Sequence, residues 1–208
     1  MMLPPLFAAV SCTPRSHATA PLDPISAVAV SPLPIGSLGG AKALVLVVGG
    51  VVFGDSALAL ETQRTAILEQ ADAALDTALR RDAHDVRWEG LPEQRDVTRR
   101  NPALDIDPDR LPTAYLVSMR IDQVPDPLWS DIRTLAAMTD ARYAIVPAAV
   151  RIAGAPGAFR ASYVLVAVDA RTGAVVWRGR SDGAAAATPA AALALAASAA
   201  VPNPLQAH

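Results

Sequence analysis

The sequence predicts an α/β (α+β) fold with a single mixed β-sheet, packed helices, a closing antiparallel hairpin and a C-terminal helix. Two observations support this prediction. Runs of strand-forming residues alternate with segments whose apolar residues recur every three or four positions, the spacing of a helix with one buried face. Towards the end of the chain, two strand-forming runs flank Asp-Ala-Arg-Thr-Gly at 169–173, whose composition and terminal glycine suit a hairpin loop.

The first half of the chain is predicted to contain three strands and two helices. Runs of valine and alanine indicate the strands, and prolines end the first of them. Gly49 and Gly50 are predicted to interrupt the second strand as a bulge. In chain order, the predicted elements are a strand at 25–31, a strand at 43–53, a helix at about 59–81, a strand at 85–89 and a helix at 93–100.

The second half is predicted to contain a helix, three strands and a final helix. Thr188 and Pro189 have the residue types of an N-cap and a first helical position, as do Asp126 and Pro127. Trp177, on the last strand, is predicted to be buried. The predicted elements are a helix from 126 to about 140, strands at 143–152, 159–168 and 174–178, a turn at 154–157 and a helix after 188, whereas 103–124 shows no clear periodicity.

Composition limits the classes of function. The hydrophobic fraction of 52% and the mean hydropathy of +0.29 predict a folded chain, and 208 residues suffice for one domain. Charged residues make up 18% and the net charge is −2, so nucleic acid is not predicted as a partner. Two apolar segments are not predicted to span a bilayer, because 43–53 is about half the required length and 184–201 is mostly alanine.

Cys12 is the candidate lipidation site. It is the single cysteine, and the apolar residues 1–11 before it resemble the end of a bacterial lipoprotein signal peptide, in which this cysteine carries the lipid. No Lys or Arg precedes Arg15, and Ala9 stands where leucine is usual, so a secretory leader and an incidental apolar N-terminus remain alternatives. Residues 12–24 are predicted to form a flexible tether and 25–208 a single globular domain.

The order of elements resembles the envelope lipoprotein superfamily. This group includes the curli-assembly lipoproteins, the lipoprotein activators of penicillin-binding proteins and the N-terminal domain of the Tol-system translocation protein. The resemblance covers about 25–201 and is most specific in the hairpin YVLVAVDARTGAVVWRG, where the group carries an Asp-x-x-Thr-Gly turn and a Trp. Here Asp169, Thr172, Gly173 and Trp177 match that pattern. The apolar segment at 43–53 is an addition to it.

No motif of catalysis or cofactor binding stands out in the sequence. The three histidines, at 17, 84 and 208, show no metal-ligand spacing with other residues. The chain contains neither a Gly-x-Ser-x-Gly nucleophile elbow nor a phosphate-binding loop. We therefore predict no catalytic residue, no metal site and no cofactor.

The predicted function is that of a non-enzymatic protein on the periplasmic face of the cell envelope, anchored to the membrane through Cys12. The resemblance implies that it binds another envelope protein or assembles with copies of itself. The alternative is a soluble, cytoplasmic enzyme whose catalytic residues have no signature, such as Asp55, Arg142 and Asp169. The apolar segment 43–53 is either a partner-binding surface or a covered central strand.

Overall fold

The computed structural model describes residues 24–117 and 121–201. Within these ranges, 3₁₀ segments occur at Asp55–Gln63, Pro102–Leu104 and Ala114–Val117. The helices are α1 (Ile35–Leu38), α2 (Arg64–Asp82), α3 (Leu91–Arg100), α4 (Leu128–Thr139) and α5 (Pro189–Ala200). The strands are β1 (Lys42–Val45), β2 (Val51–Phe53), β3 (Arg87–Glu89), β4 (Tyr143–Ala153), β5 (Arg160–Asp169) and β6 (Val175–Asp182).

The strands form one mixed sheet, which confirms the predicted fold class. Its order is β3-β1-β4-β5-β6, and β2 pairs with the second half of β4. The pairs β1–β3, β1–β4 and β2–β4 are parallel, whereas β4–β5 and β5–β6 are antiparallel. The chain therefore builds a parallel half first and closes with the predicted hairpin.

The predicted bulge at Gly49 and Gly50 lies between β1 and β2. Both strands pair with β4, and β4 itself has a register shift between Pro147 and Ala149 at the same level. Gly49 is closely surrounded there, because a Cβ atom on it would lie 2.5 Å from both Ala114 N and Thr113 Oγ1. Val45 pairs with Ile145 and Val51 pairs with Val150, so the segment between β1 and β2 holds one residue more than the facing stretch of β4. This extra residue is a bulge, as the glycines indicated.

Helices cover both faces of the sheet. One core contains the buried stripe of α2 together with α5, and the other contains α4 and the segment Ala114–Val117. Tyr163 on β5 is fully buried and its hydroxyl donates a hydrogen bond to Ala71 O of α2 at 2.9 Å. Burial on both sides explains why β4 and β5 are apolar along almost their whole length.

The C-terminal helix begins as the sequence predicts. Thr188 is the N-cap residue and its side chain accepts a hydrogen bond from Ala191 N at 3.2 Å, with Pro189 in the first position. The small side chains allow α5 to lie close to its neighbours, since a Cβ atom on Gly183 would be 2.6 Å from Ala196 N. Of the described helices, none combines the length and apolarity that a membrane span requires.

The prediction of a strand at 25–31 is wrong. Residues 24–27 form a turn, in which Val28 N donates to Ile25 O at 3.2 Å. Only Val30 pairs with a strand, in an isolated parallel bridge to Arg180 of β6. Further on, Leu33 N donates to Ala200 O at 2.8 Å, so this segment connects β6 to the end of α5. A valine-alanine alternation indicates an extended chain, but it does not show how many residues find a partner strand.

The prediction that Trp177 is buried also needs correction, because its side chain is half-buried. Trp177 lies on the edge strand β6, and its indole ring lies across Gly179, where a Cβ atom would be 2.3 Å from the ring. The other predicted elements are present. The long helix starts at Arg64 after a 3₁₀ segment, and the short one starts two residues earlier than predicted, at Leu91.

Candidate functional site

A cleft of about 480 Å³ lies between α2 and α3, at the carboxyl ends of β1 and β3. We call it the α2–α3 cleft. In open sheets with parallel strands, ligands bind in the crevice outside these ends. The cleft has an apolar floor and rim, formed by Val45, Leu46, Leu75, Leu91 and Pro92. Three of these side chains are buried, whereas Leu91 and Pro92 are accessible at the mouth.

Asp72 is the main polar group of the cleft. It lies on α2, and its Oδ1 accepts a hydrogen bond from Val48 N at 2.8 Å, in the segment that follows β1. Burial raises the pKa of Asp72 to about 6, while the hydrogen bond from Val48 acts in the opposite direction. The negative charges of Asp109 and Glu69 raise this pKa further, and Arg95 lowers it. The cleft thus holds a partly desolvated carboxyl group whose pKa of about 6 lies close to neutral pH.

Gln94 ties α3 to the sheet beneath the cleft. Its side chain is fully buried, and Nε2 donates to Val45 O at 2.8 Å and to Glu89 O at 3.0 Å, the last residues of β1 and β3. Within the described ranges, Gln94 Oε1 is buried without a hydrogen-bond partner. The amide fixes the position of α3, and hence the cleft wall that Leu91 and Arg95 provide.

The rim of the cleft is acidic. Arg80 bridges Asp76 at 2.9 Å and Glu93 at 3.3 Å, and Arg95 pairs with Asp109 at 2.5 Å. The cleft and its rim therefore hold more carboxylates than guanidinium groups. The five carboxylates belong to Glu69, Asp72, Asp76, Glu93 and Asp109, and the two guanidinium groups to Arg80 and Arg95. Gly90 lets this network close over the strand end, since a Cβ atom on it would lie 2.8 Å from Asp76 Oδ1. A cationic group that approaches the cleft meets net negative charge.

Arg99 and Arg100 lie in the last turn of α3. Both contact Asp96 on the same helix, and their side chains are exposed. They form a solvated face and do not reach the cleft.

The polar residues of the enzyme alternative do not form one site. Arg142 and Asp169 approach to 4.0 Å. Asp55 lies at the other end of β4, because Phe53 pairs with Ile152 whereas Ala43 pairs with Tyr143. Among residues 24–117 and 121–201, no group of three or more metal-ligating side chains comes together. Asp72 in the cleft has no nucleophile or second titratable group hydrogen-bonded to it in the described contacts.

The residues of the predicted structural turn lie at the β5–β6 connection. Asp169 Oδ1 accepts hydrogen bonds from Arg171 N at 3.0 Å, Thr172 N at 3.1 Å and Thr172 Oγ1 at 3.3 Å. Gly173 has a φ of 76°, and its α-carbon faces Trp129 so closely that a Cβ atom would lie 2.9 Å from the ring. Trp177 is on β6, beyond the turn. Cys12 lies outside the described residues.

The apolar segment at 43–53 is not a free partner surface along β1. Ala43, Leu44 and Val45 are buried between β3 and β4. Of the remaining residues, Val52 on β2 is 41% exposed. The covered-strand interpretation therefore holds for β1, and the partner-surface interpretation is wrong for residues 43–45, whereas β2 keeps an exposed side chain at Val52.

Another groove of about 550 Å³ lies between residues 30–32 and the ends of α2 and α5. Its charged residues pair with one another, Arg81 with Asp82 and Arg180 with Asp182. It therefore presents less unbalanced charge than the α2–α3 cleft, which is the stronger candidate for binding.

No family model matches the chain, and no curated protein matches it. Solved structures do match. The C-terminal domain of LpoB from Salmonella enterica is 15% identical, with a TM-score of 0.40 over 70% of this chain and 83% of that chain. A PelC dodecamer from Paraburkholderia phytofirmans is 15% identical, with a TM-score of 0.39 over 83% of this chain and 93% of that chain.

The lipoprotein GNA1162 from Neisseria meningitidis is 13% identical, with a TM-score of 0.35 over 69% of this chain and 80% of that chain. A lipoprotein is thus among the structures that this chain is similar to. At these identities and TM-scores, the similarity assigns neither a family nor a function. The likeness to curli-assembly and Tol proteins stays a prediction.

Proposed function

We propose that this protein is a non-enzymatic component of the bacterial cell envelope, anchored through a lipid on Cys12, whose folded domain binds a partner protein in the α2–α3 cleft. The observation that carries the proposal is the composition of the cleft. An apolar floor beside unbalanced carboxylates suits a protein segment with an apolar side chain next to a cationic one.

The apolar floor would provide most of the binding energy. Burying one side chain of the size of leucine or phenylalanine contributes about 1.5–3 kcal/mol. Leu91 and Pro92 lie at the mouth, where they would pack against such a side chain. The half-buried Asp72 would select a partner with a cationic group beside the anchor, because a desolvated carboxylate favours an opposite charge.

Photo-crosslinking in cells tests this proposal. Ala73 lies in the cleft on the exposed side of α2, so a photoreactive amino acid there should not disturb the core. We expect it to crosslink to a specific envelope protein on illumination. Leu195 on α5 is 43% exposed and is not among the residues that line the cleft, so the same amino acid at Leu195 is the matched control.

Charge at the same position separates specific binding from chance contact. Ala73→Arg would place a cation among the carboxylates and repel a cationic partner, whereas Ala73→Glu would fill the same space with the opposite charge. In these variants the photoreactive amino acid is placed at the accessible Leu91 instead. Ala73→Arg should then lose the crosslink to the partner, and Ala73→Glu should retain more of this crosslink than Ala73→Arg does. Equal adducts from both variants, or equal adducts at Ala73 and Leu195, would contradict the proposal.

A further inference from the structure

Three arginines on neighbouring strands line one groove at the end of the sheet. Arg151 on β4, Arg160 on β5 and Arg180 on β6 surround a volume of about 280 Å³. Arg151 lies opposite Ser162, and Ser162 lies opposite Asp182, so these three side chains are on one face of the sheet. Arg160 and Arg180 stand two positions before Ser162 and Asp182, so their side chains are on the same face. It is the face that α4 covers further along, at Val166 and other apolar residues.

The groove is basic in a chain whose net charge is −2. Asp182 is the carboxylate that lines it, and Arg180 Nε lies 3.0 Å from Asp182 Oδ1. Arg160 is exposed and makes no ion pair with any residue in 24–117 or 121–201. Among the described residues that line the groove, three carry a guanidinium group and one carries a carboxylate. Of these arginines, Arg160 is the one available to an external anion, whereas Arg151 and Arg180 have partners within the protein.

The groove is also where the N-terminal segment joins the domain. Arg180 Nη1 donates to Ile25 O at 3.2 Å, and Arg151 Nη1 donates to Ser26 Oγ at 3.1 Å. Cys12 stands twelve positions before Pro24. An extended chain of that length reaches at most ~40 Å. If the chain is anchored through Cys12, this groove lies at the point where the tether joins the domain, within ~40 Å of the bilayer.

We propose that the groove of Arg151, Arg160 and Arg180 binds the phosphate groups of anionic lipids in the membrane that carries the anchor. The inference rests on the lipid anchor of the proposed function. Guanidinium groups bind phosphate oxygens through paired hydrogen bonds, and the tether raises the local concentration of headgroups at the groove. Lipid contact would orient the domain relative to the membrane, with the groove towards the bilayer.

Vesicle sedimentation of the full chain carrying Cys12→Ala tests the groove without a lipid anchor. We expect binding to vesicles that contain phosphatidylglycerol and none to pure phosphatidylcholine vesicles. Arg160→Gln should weaken binding about 5-fold, whereas Arg160→Lys should retain most of it. Arg99→Gln removes the same charge from α3, outside the groove, and should leave binding unchanged.

Three outcomes would overturn the proposal. Arg160→Gln could bind anionic vesicles as tightly as its parent, or vesicles of both compositions could bind equally, as insertion of the apolar residues 1–11 would produce. Inorganic phosphate at matched ionic strength could stabilise the protein without any vesicle binding, which would identify a soluble anion as the occupant. Because the Cys12→Ala variant carries no lipid, this experiment tests the groove separately from the anchor. Vesicle binding can fail while anchoring through Cys12 stands, and anchoring can fail while vesicle binding stands.

Discussion

Two polar side chains, the half-buried Asp72 and the fully buried Gln94, hold the walls of the α2–α3 cleft through backbone partners. Asp72 links α2 to Val48, and Gln94 links α3 to the ends of β1 and β3. Buried polar groups are retained when hydrogen bonds compensate for their desolvation. Because these partners are distant in the chain, each side chain stabilises tertiary structure and shapes the cleft at the same time.

Asp72 predicts a specific pH dependence of stability. Its pKa in the folded protein is about 6, raised from 3.8, so the folded state holds the proton more tightly than the unfolded state. The stability gained from the protonated form is present below about pH 4 and is lost as the pH rises to about 6. Asp72→Asn cannot ionise, so its stability relative to the wild type should rise by about 2 kcal/mol over this window.

Urea unfolding of both proteins between about pH 4 and pH 7 measures this difference. Asp85→Asn removes an exposed carboxylate outside the cleft, so this control should follow the wild type. Parallel pH profiles for wild type and Asp72→Asn would show that Asp72 is not desolvated.

Residue chemistry in the sequence predicted the turn but not the cleft. Asp169, Thr172 and Gly173 act within five consecutive residues, so their local hydrogen bonds and the left-handed glycine can be inferred from composition alone. The roles of Asp72 and Gln94 depend on backbone atoms 24 and 49 positions away. On a helix surface, such residues look like any solvated polar side chain.

At the level of elements, interior strands and helices were easier to predict than the sheet edges. β5 is buried on both faces, so its apolar residues predicted an interior strand without an alternative. The segment at 25–31 has a similar composition, yet only Val30 pairs, and that side chain is 62% exposed. Whether a segment pairs at the edge of the sheet depends on which backbone groups of the edge strand are still unpaired once the sheet has formed. The residues of the segment itself do not show this.

The edge position of β6 changes the expected role of its tryptophan. Trp88 on β3 is 6% exposed, and its indole N–H donates to Ala83 O at 2.9 Å. Trp88→Ala should therefore destabilise the domain by about 3–5 kcal/mol. Trp177 is half-buried, and Trp177→Ala should cost about 1–2 kcal/mol.

Chemical denaturation of the two variants provides the comparison. A larger loss for Trp177→Ala than for Trp88→Ala would mean that the edge of the sheet is more tightly covered than its position implies. The control is the wild type under the same conditions, since a typical domain has about 5–15 kcal/mol of stability to lose.

For the whole molecule, the alternation of elements predicted the architecture because each element must bury one face against the same sheet. The sequence could not predict the cleft or the arginine groove. The cleft combines residues of β1, α2 and α3, and the groove combines three strands with the segment at 25–26. Such sites exist only once the topology has brought distant segments together.

The proposed membrane anchor is tested on the whole chain. We expect the wild type to fractionate with membranes when it is produced in a bacterial host, and Cys12→Ala to become soluble, because the proposal places the lipid on Cys12. Immunoblots of membrane and soluble fractions measure this, with Ser11→Ala as a control next to the cysteine. An equal distribution of both proteins in the cytosol would refute lipidation.

The way in which residues 25–33 are held has a mechanical consequence for a tethered domain. Ala29 O and Ser31 N both bond to the backbone of Arg180, and the segment runs parallel to β6. Tension along the tether would pull the segment along β6, so the hydrogen bonds of Ala29 and Ser31 to Arg180 would be loaded in shear at the same time. The force would then pass through Leu33 to Ala200 at the end of α5. Pulling on the chain would thus be resisted by β6 and α5, while the α2–α3 cleft would stay outside the line of force.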